Sequence, residues 1–191
     1  TVGIPLALVA CESVPSASGA ARVSVLLTDA PGDFVSADVV ILQIYLLGEA
    51  DSDPLTEDED SPGGRITLYS HGETFDLLDL RNGVTAELAD AVIPPGTYHE
   101  IRLVLGEATI ETENGTIYST EDGTLKCPSC AQSGLKVKLP DGGIRLEEGN
   151  QSIIVDFDVA QSFGHQAGKS GKWVMHPVIR ATKVEAAGGI T

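Results

Sequence analysis

The stretch ADVVILQIYLLG, Ala37–Gly48, decides the fold. It is dominated by Val, Ile and Leu, with the β-branched residues that suit a pleated, packed surface, and it reads as a central strand. It is also too short to span a bilayer, which takes roughly 18 apolar residues, and no other apolar run reaches that length. Just before it, RVSVLLTDA (Arg22–Ala30) alternates apolar with polar and breaks at Pro31-Gly32. Just after it, EADSDPLTEDEDSPGG (Glu49–Gly64) is acidic and full of breakers, a surface loop.

The same grammar continues down the chain. RITLYS and TFDLLDL read as two short strands around the turn His71-Gly72. VTAELADAVI (Val84–Ile93) is the one segment with a helical period, placing Val84, Leu88 and Val92 on one face before Pro94-Pro95 stops it. HEIRLVLGEATIET is followed by Asn114-Gly115 and TIYST, and Asn-Gly between alternating segments is the strongest short hairpin signal. LKVKLP alternates strictly, IRLEEGN leads into QSIIVDFDVAQSF, and KWVMHPVIRATKVE closes the domain. About nine short strands at steady spacing with one short helix predict an all-β, antiparallel β-sandwich, immunoglobulin-like or transthyretin-like. The expected organisation is an apolar tail and spacer over residues 1–21, one domain over 22–185, and a short tail over 186–191.

The chain has 191 residues, enough for one domain with a proper core. Its 28 acidic and 12 basic side chains give a formal charge of -16, which argues against nucleic acid or an anionic membrane surface as partner. Cations, Ca²⁺ above all, suit such a surface. Asp156 and Asp158 stand at i, i+2 on one strand face, and Asp29 and Asp33 flank a turn. These four are the candidate metal ligands, with the loop Asp51–Asp60 as a second site. The bland alternative is solvated acids with side chain-to-backbone turn bonds near Pro31-Gly32.

Other motifs carry less. GHQAGKSGK (Gly164–Lys172) resembles a phosphate-binding loop, but three residues rather than four separate Gly164 from Gly168, and a strand rather than a helix follows, so it reads as a hairpin loop. There is no GxSxG elbow, and His71, His99, His165 and His176 are scattered, which leaves nucleophilic and metalloprotease chemistry without support. Asn114 and Asn150 each begin an N-x-[ST] sequon in an expected turn. Cys127 and Cys130 in CPSC have no further ligand nearby for zinc, and in an exported protein they suit a local disulfide.

The N-terminal segment reads two ways. LVAC (Leu8–Cys11) fits the aliphatic-x-small-Cys pattern of a lipidation site at Cys11, followed by the Ser/Ala/Pro-rich spacer ESVPSASGAA. Alternatively Ile4, Leu6, Leu8 and Val9 form a strand that adds to a neighbouring copy, although Pro5 cannot donate to a ladder.

Seven pieces occur in order: LVAC, VSVLLTDAPGDF, FDLLDLRNG, IPPGTYHEIRLVL, SGLKVKLP, IIVDFDVAQSF and KWVMHPVIR. Together they resemble the DUF4382 family of bacterial and archaeal exported proteins, many of them predicted lipoproteins, over about residues 22–184. The resemblance implies an extracytoplasmic β-sandwich and no chemistry, and it departs from the family pattern at CPSC and the acidic loop. The leading expectation is a non-catalytic structural subunit, extracellular or at the cell surface, that polymerises with copies of itself through its N-terminal strand. The alternative is a lipoprotein anchored through Cys11 that binds a carbohydrate or another ligand.

Overall fold

The computed structural model describes residues 20–30, 32–48, 64–128, 130–163, 166–167 and 171–185. In chain order the strands are β1 (Ala21–Ala30), β2 (Phe34–Gly48), β3 (Arg65–Tyr69), β4 (Glu73–Asp76), β5 (Ala86–Ile93), β6 (Gly96–Thr112) and β7 (Ile117–Ser119). There follow β8 (Leu125–Lys126), β9 (Leu135–Lys138), β10 (Ile144–Leu146), β11 (Gly149–Asp158), β12 (Gln166–Ala167), β13 (Lys172–Val174) and β14 (Ile179–Glu185). One short helix, α1 (Val159–Ser162), caps the end of β11. The TFDLLDL segment is a strand only as far as Asp76. Leu77–Leu80 wind into a 3-10 turn because the Asp76 carboxylate accepts a hydrogen bond from the Leu78 N–H, at 2.9 Å.

Two main sheets face each other. One runs β14-β11-β1-β5; the other runs β10-β6-β2-β3, with β4 also pairing β2, and β7 and β9 pairing β6. A small third sheet, β12-β13-β8, lies beside them. The period-two reading is visible in β1, where Arg22 is exposed and Ser24 and Leu26 are half-buried while Ala21, Val23, Val25 and Leu27 are buried. They meet Ile153, Val155 and Phe157 of β11, and Ile41, Ile44, Leu46, Ile101, Leu103 and Leu105 of the facing sheet in one apolar cluster. Ile41 and Ile44 both point inward although three residues apart, because the β2–β6 register shifts between Ile41 and Gln43 and turns Leu42 outward. The expected sandwich is thus present, with two pairings, β1–β11 and β8–β13, parallel.

The expected helix over Val84–Ile93 is not one. Residues Ala86–Ile93 are strand β5, antiparallel to β1 with Ile93 opposite Ala21. The helical spacing of Val84, Leu88 and Val92 is coincidental, since Val84 and Val92 are 52% and 69% exposed while Leu88 is buried. Pairing with β1 and burial of Leu88, Ala89 and Ile93 override a local preference worth only tenths of a kcal/mol per residue. Asn114-Gly115 does form the hairpin turn between β6 and β7: Gly115 takes φ of 79°, and the Thr112 N–H donates to the Thr116 carbonyl at 3.0 Å. Gly164, His165 and residues 168–170 of the Gly-rich loop lie outside the described residues, as do residues 1–19, 49–63 and 186–191. Among the described residues, no helix is long and apolar enough to cross a membrane.

Core packing sets a clear expectation. Ile101→Ala, which empties a fully buried site, should lower stability by about 3 kcal/mol in urea denaturation, whereas Val84→Ala on the surface should stay within about 0.5 kcal/mol.

Candidate ligand cleft

The parallel pairing of β1 with β11 ends both strands at one place, with Asp29 opposite Phe157 and Ala30 opposite Asp158. The backbone of β11 then turns into α1, and two aspartates hold that turn. The Asp29 carboxylate, buried, accepts a hydrogen bond from the Val159 N–H at 3.0 Å. Asp158 is the N-cap, accepting from the Gln161 N–H at 2.9 Å and from the Gln161 side-chain amide. Gly32 lets the β1–β2 turn approach this helix: a Cβ there would lie 3.0 Å from Val159 Cγ1 and 3.2 Å from the Ala160 nitrogen. Beyond α1, Ser162 fastens the next segment, its hydroxyl accepting from the Val178 N–H and its carbonyl from the His176 N–H, both at 2.8 Å.

Aromatic side chains gather at this end. Phe34, first residue of β2, packs edge-on against the buried Phe163 ring at 6.0 Å and against Trp173 of β13 at 5.8 Å. Trp173 also meets Tyr118 of β7 at 5.7 Å. Beside them opens a cleft of about 340 Å³ lined by Asp33, Phe34, Thr112, Ala160, Phe163 and Trp173. Asp33 is its sole ionisable lining residue among the described ones. Trp173 Nε1 is buried and has no hydrogen-bond partner among the described residues. A concave site with aromatic walls and a few polar groups has the general make-up of a small-molecule pocket, at the lower end of the usual size range. A second cleft, of about 330 Å³, lies between β9 and β14 and is lined by Ser133, Gly134, Leu135, Lys136, Pro177 and Ile179.

The four candidate metal ligands do not converge. Asp29 and Asp158 are engaged in holding α1, Asp33 lines the cleft, and Asp156 sits in mid-strand opposite Thr28 and Arg180. Among the described residues no group of three or more His, Cys, Asp or Glu side chains is placed to hold a metal ion. The loop Asp51–Asp60 lies outside them. Cys127 and Cys130 form a disulfide, the Cys127 sulfur 3.3 Å from that of Met175, and the Cys130 carbonyl accepts the Leu105 N–H. This ties the segment after β8 to β6. Asn114 is exposed in its turn, its side-chain oxygen accepting from the Thr116 N–H, and Asn150 is exposed in β11. His176 lies between β13 and β14 rather than within a strand.

One polar cluster carried no signal in the sequence. On the outer face of the larger sheet the Arg65 guanidinium stacks 4.1 Å over the Tyr45 ring, and Arg102 lies 5.9 Å from it on hydrogen bonds to Glu100, Tyr45 and the Ser133 carbonyl. Burial would push the Glu100 carboxyl up, but hydrogen bonds from Arg102 and Lys138 overcome that and hold it below its ordinary value. Its residues lie on β2, β3, β6 and β9, so only the assembled sheet brings them together.

The structure therefore defines an all-β sandwich domain with an aromatic cleft at one end. The chain belongs to the DUF4382 family, a domain of unknown function, whose family model matches residues 20–177. That match stops short of β14, the strand that completes the four-stranded sheet. No curated protein and no solved structure matches the chain.

Asp156 offers a test with a definite sign. Burial, and then repulsion from Asp158, raise its pKa, with Arg180 opposing. A raised carboxyl binds its proton more tightly in the folded state, so stability falls as pH rises from the ordinary carboxyl range through the raised value. The full penalty is present at neutral pH. Asp156→Asn should raise the melting temperature at pH 7, and the gain should vanish as the wild type becomes protonated on acidification. Thermal melts across pH 3–7 measure it.

Proposed function

We propose that the chain is a non-catalytic extracytoplasmic module held at the cell surface by lipid on Cys11. The observation that carries this reading is the way the domain begins. β1 comes into the middle of the four-stranded sheet, with β11 on one side and β5 on the other, and Ala21 at its start is fully buried. The described core runs contiguously from Ala21 to Ala181, and among the described residues neither main sheet has a gap in its interior where a donated strand would have to be inserted. A domain complete from Ala21 onward fits a leash, and ESVPSASGAA after the LVAC box has the composition of one. Two acyl chains on one cysteine meet the two-signal requirement for stable anchoring.

The non-catalytic part rests on the cleft, whose lining holds a single carboxylate and no nucleophile-base pair among the described residues. In native cells the protein should fractionate with membranes, its intact mass should correspond to a chain beginning at diacylglyceryl-Cys11, and Cys11→Ala should release it. A membrane-free native protein whose mass still includes Thr1–Ala10 would refute the tether.

Self-assembly is a second reading, favoured by β5. This strand is an edge of its sheet, its Ile93 lies opposite Ala21 where the chain comes in, and Val92 next to it is 69% exposed. A strand formed by Ile4, Leu6, Leu8 and Val9 of a second copy would add there by β-augmentation. Deleting Thr1–Ala10 should then abolish polymers seen by light scattering, and polymers persisting in the deletion would rule the reading out.

A further inference from the structure

We infer that the cleft beside α1 binds a neutral saccharide, one or two sugar rings in size. The inference rests on the reading of the domain as a non-catalytic surface module and names the ligand class of its cleft.

Charge removes the anions first. Asp33 is the sole charged lining group among the described residues, no Lys or Arg stands in the wall, and the chain as a whole carries -16. A phosphate, sulfate or carboxylate ligand would meet repulsion and no counter-charge. The walls then ask for apolar surface: Phe34 and Trp173 offer ring carbon, with the buried Phe163 packed behind Phe34 and Tyr118 behind Trp173. The C–H faces of a pyranose ring supply such surface while its hydroxyls stay polar.

The polar groups choose between a sugar and an organic cation. Asp33 accepts hydrogen bonds and donates none, so it favours a ligand with O–H groups or positive charge. Trp173 Nε1 asks for the opposite, because it is an indole donor, buried and with no acceptor among the described residues. A buried donor left unmet costs on the order of 1–3 kcal/mol, which a ligand oxygen would recover. A quaternary ammonium has no lone pair to give it. A sugar hydroxyl donates to Asp33 and accepts from the indole at once. Because the Trp173 ring lines the cleft, a ligand bound there changes the surroundings of the indole and gives a spectroscopic signal at the site.

Trp173 is the chain's one tryptophan, so its emission reports on this cleft alone. The full chain is titrated with glucose, cellobiose, N-acetylglucosamine, chitobiose, mannose and mannobiose, and separately with choline and inorganic phosphate. The expected result is a saturable change in emission with at least one sugar and none with phosphate. Calorimetry should then show about tenfold weaker sugar binding for Asp33→Asn and for Trp173→Phe, each having lost one hydrogen bond to the ligand. Unchanged circular dichroism and melting temperature exclude misfolding as the cause. Silence with every sugar, saturable binding of choline without a sugar, or sugar binding unaffected by both substitutions overturns the inference. Hydrolysis of a bound sugar would instead overturn the non-catalytic reading and leave the cleft intact. Loss of membrane association would overturn only the tether.

Discussion

The pairing of β1 with β11 is the constraint on which the molecule depends. Ten successive residues, Ala21–Ala30, align in parallel with Gly149–Asp158, joining the two ends of the domain across nearly its whole length in sequence. Parallel strands cannot be closed by a tight turn, so everything from β2 to β10 becomes the connection between them. That intervening chain forms the facing sheet and supplies most of the core. The pairing also stops the two strands level with each other, so the turn after β1 and the helix after β11 meet at one end. Asp29 and Asp158 at that end spend their carboxylates on the backbone of α1, which leaves Asp33 alone of the three facing the cleft.

Much of this was legible residue by residue. Val23, Val25 and Leu27 alternate with Arg22, Ser24 and Leu26, and a period of two needs no tertiary information to be read. Asn114-Gly115 announced its hairpin because so few residues tolerate positive φ, and the strict alternation of Leu135, Val137 and Leu139 marked β9. The misreading of β5 has an equally physical origin. Ala, Glu, Leu and Asp in AELADA are indifferent or averse to strands on local grounds, and only the neighbouring edge of β1 made extension the better choice. Local pattern also stayed silent on the parallel direction of β11, because direction is a property of the connection and not of the strand.

The cleft lay further out of reach. Asp33 was singled out for its charge, but Phe34, Thr112, Phe163 and Trp173 come from four separated stretches, each an ordinary apolar or polar position in its own strand or turn. No spacing rule links them. They meet because Phe34 begins β2, Thr112 ends β6 where the two strands pair, Phe163 follows α1, and Trp173 lies on β13 beside β8, whose following segment is tied to β6 through the Cys130 carbonyl. The outer cluster around Tyr45 and Arg102 has the same origin. Its members became neighbours through lateral strand order, which hydrophobic pattern leaves undetermined.

The Gly48–Gly64 contact has a consequence of another kind. The Gly48 N–H donates to the Gly64 carbonyl at 3.2 Å, so the end of β2 and the residue before β3 are held together. Because the entropy of closing a loop rises only with the logarithm of its length, a longer or shorter connection between these two residues would change the cost of closure little. A peptide grafted between Gly48 and Gly64 would therefore add little to the cost of bringing the ends of β2 and β3 together.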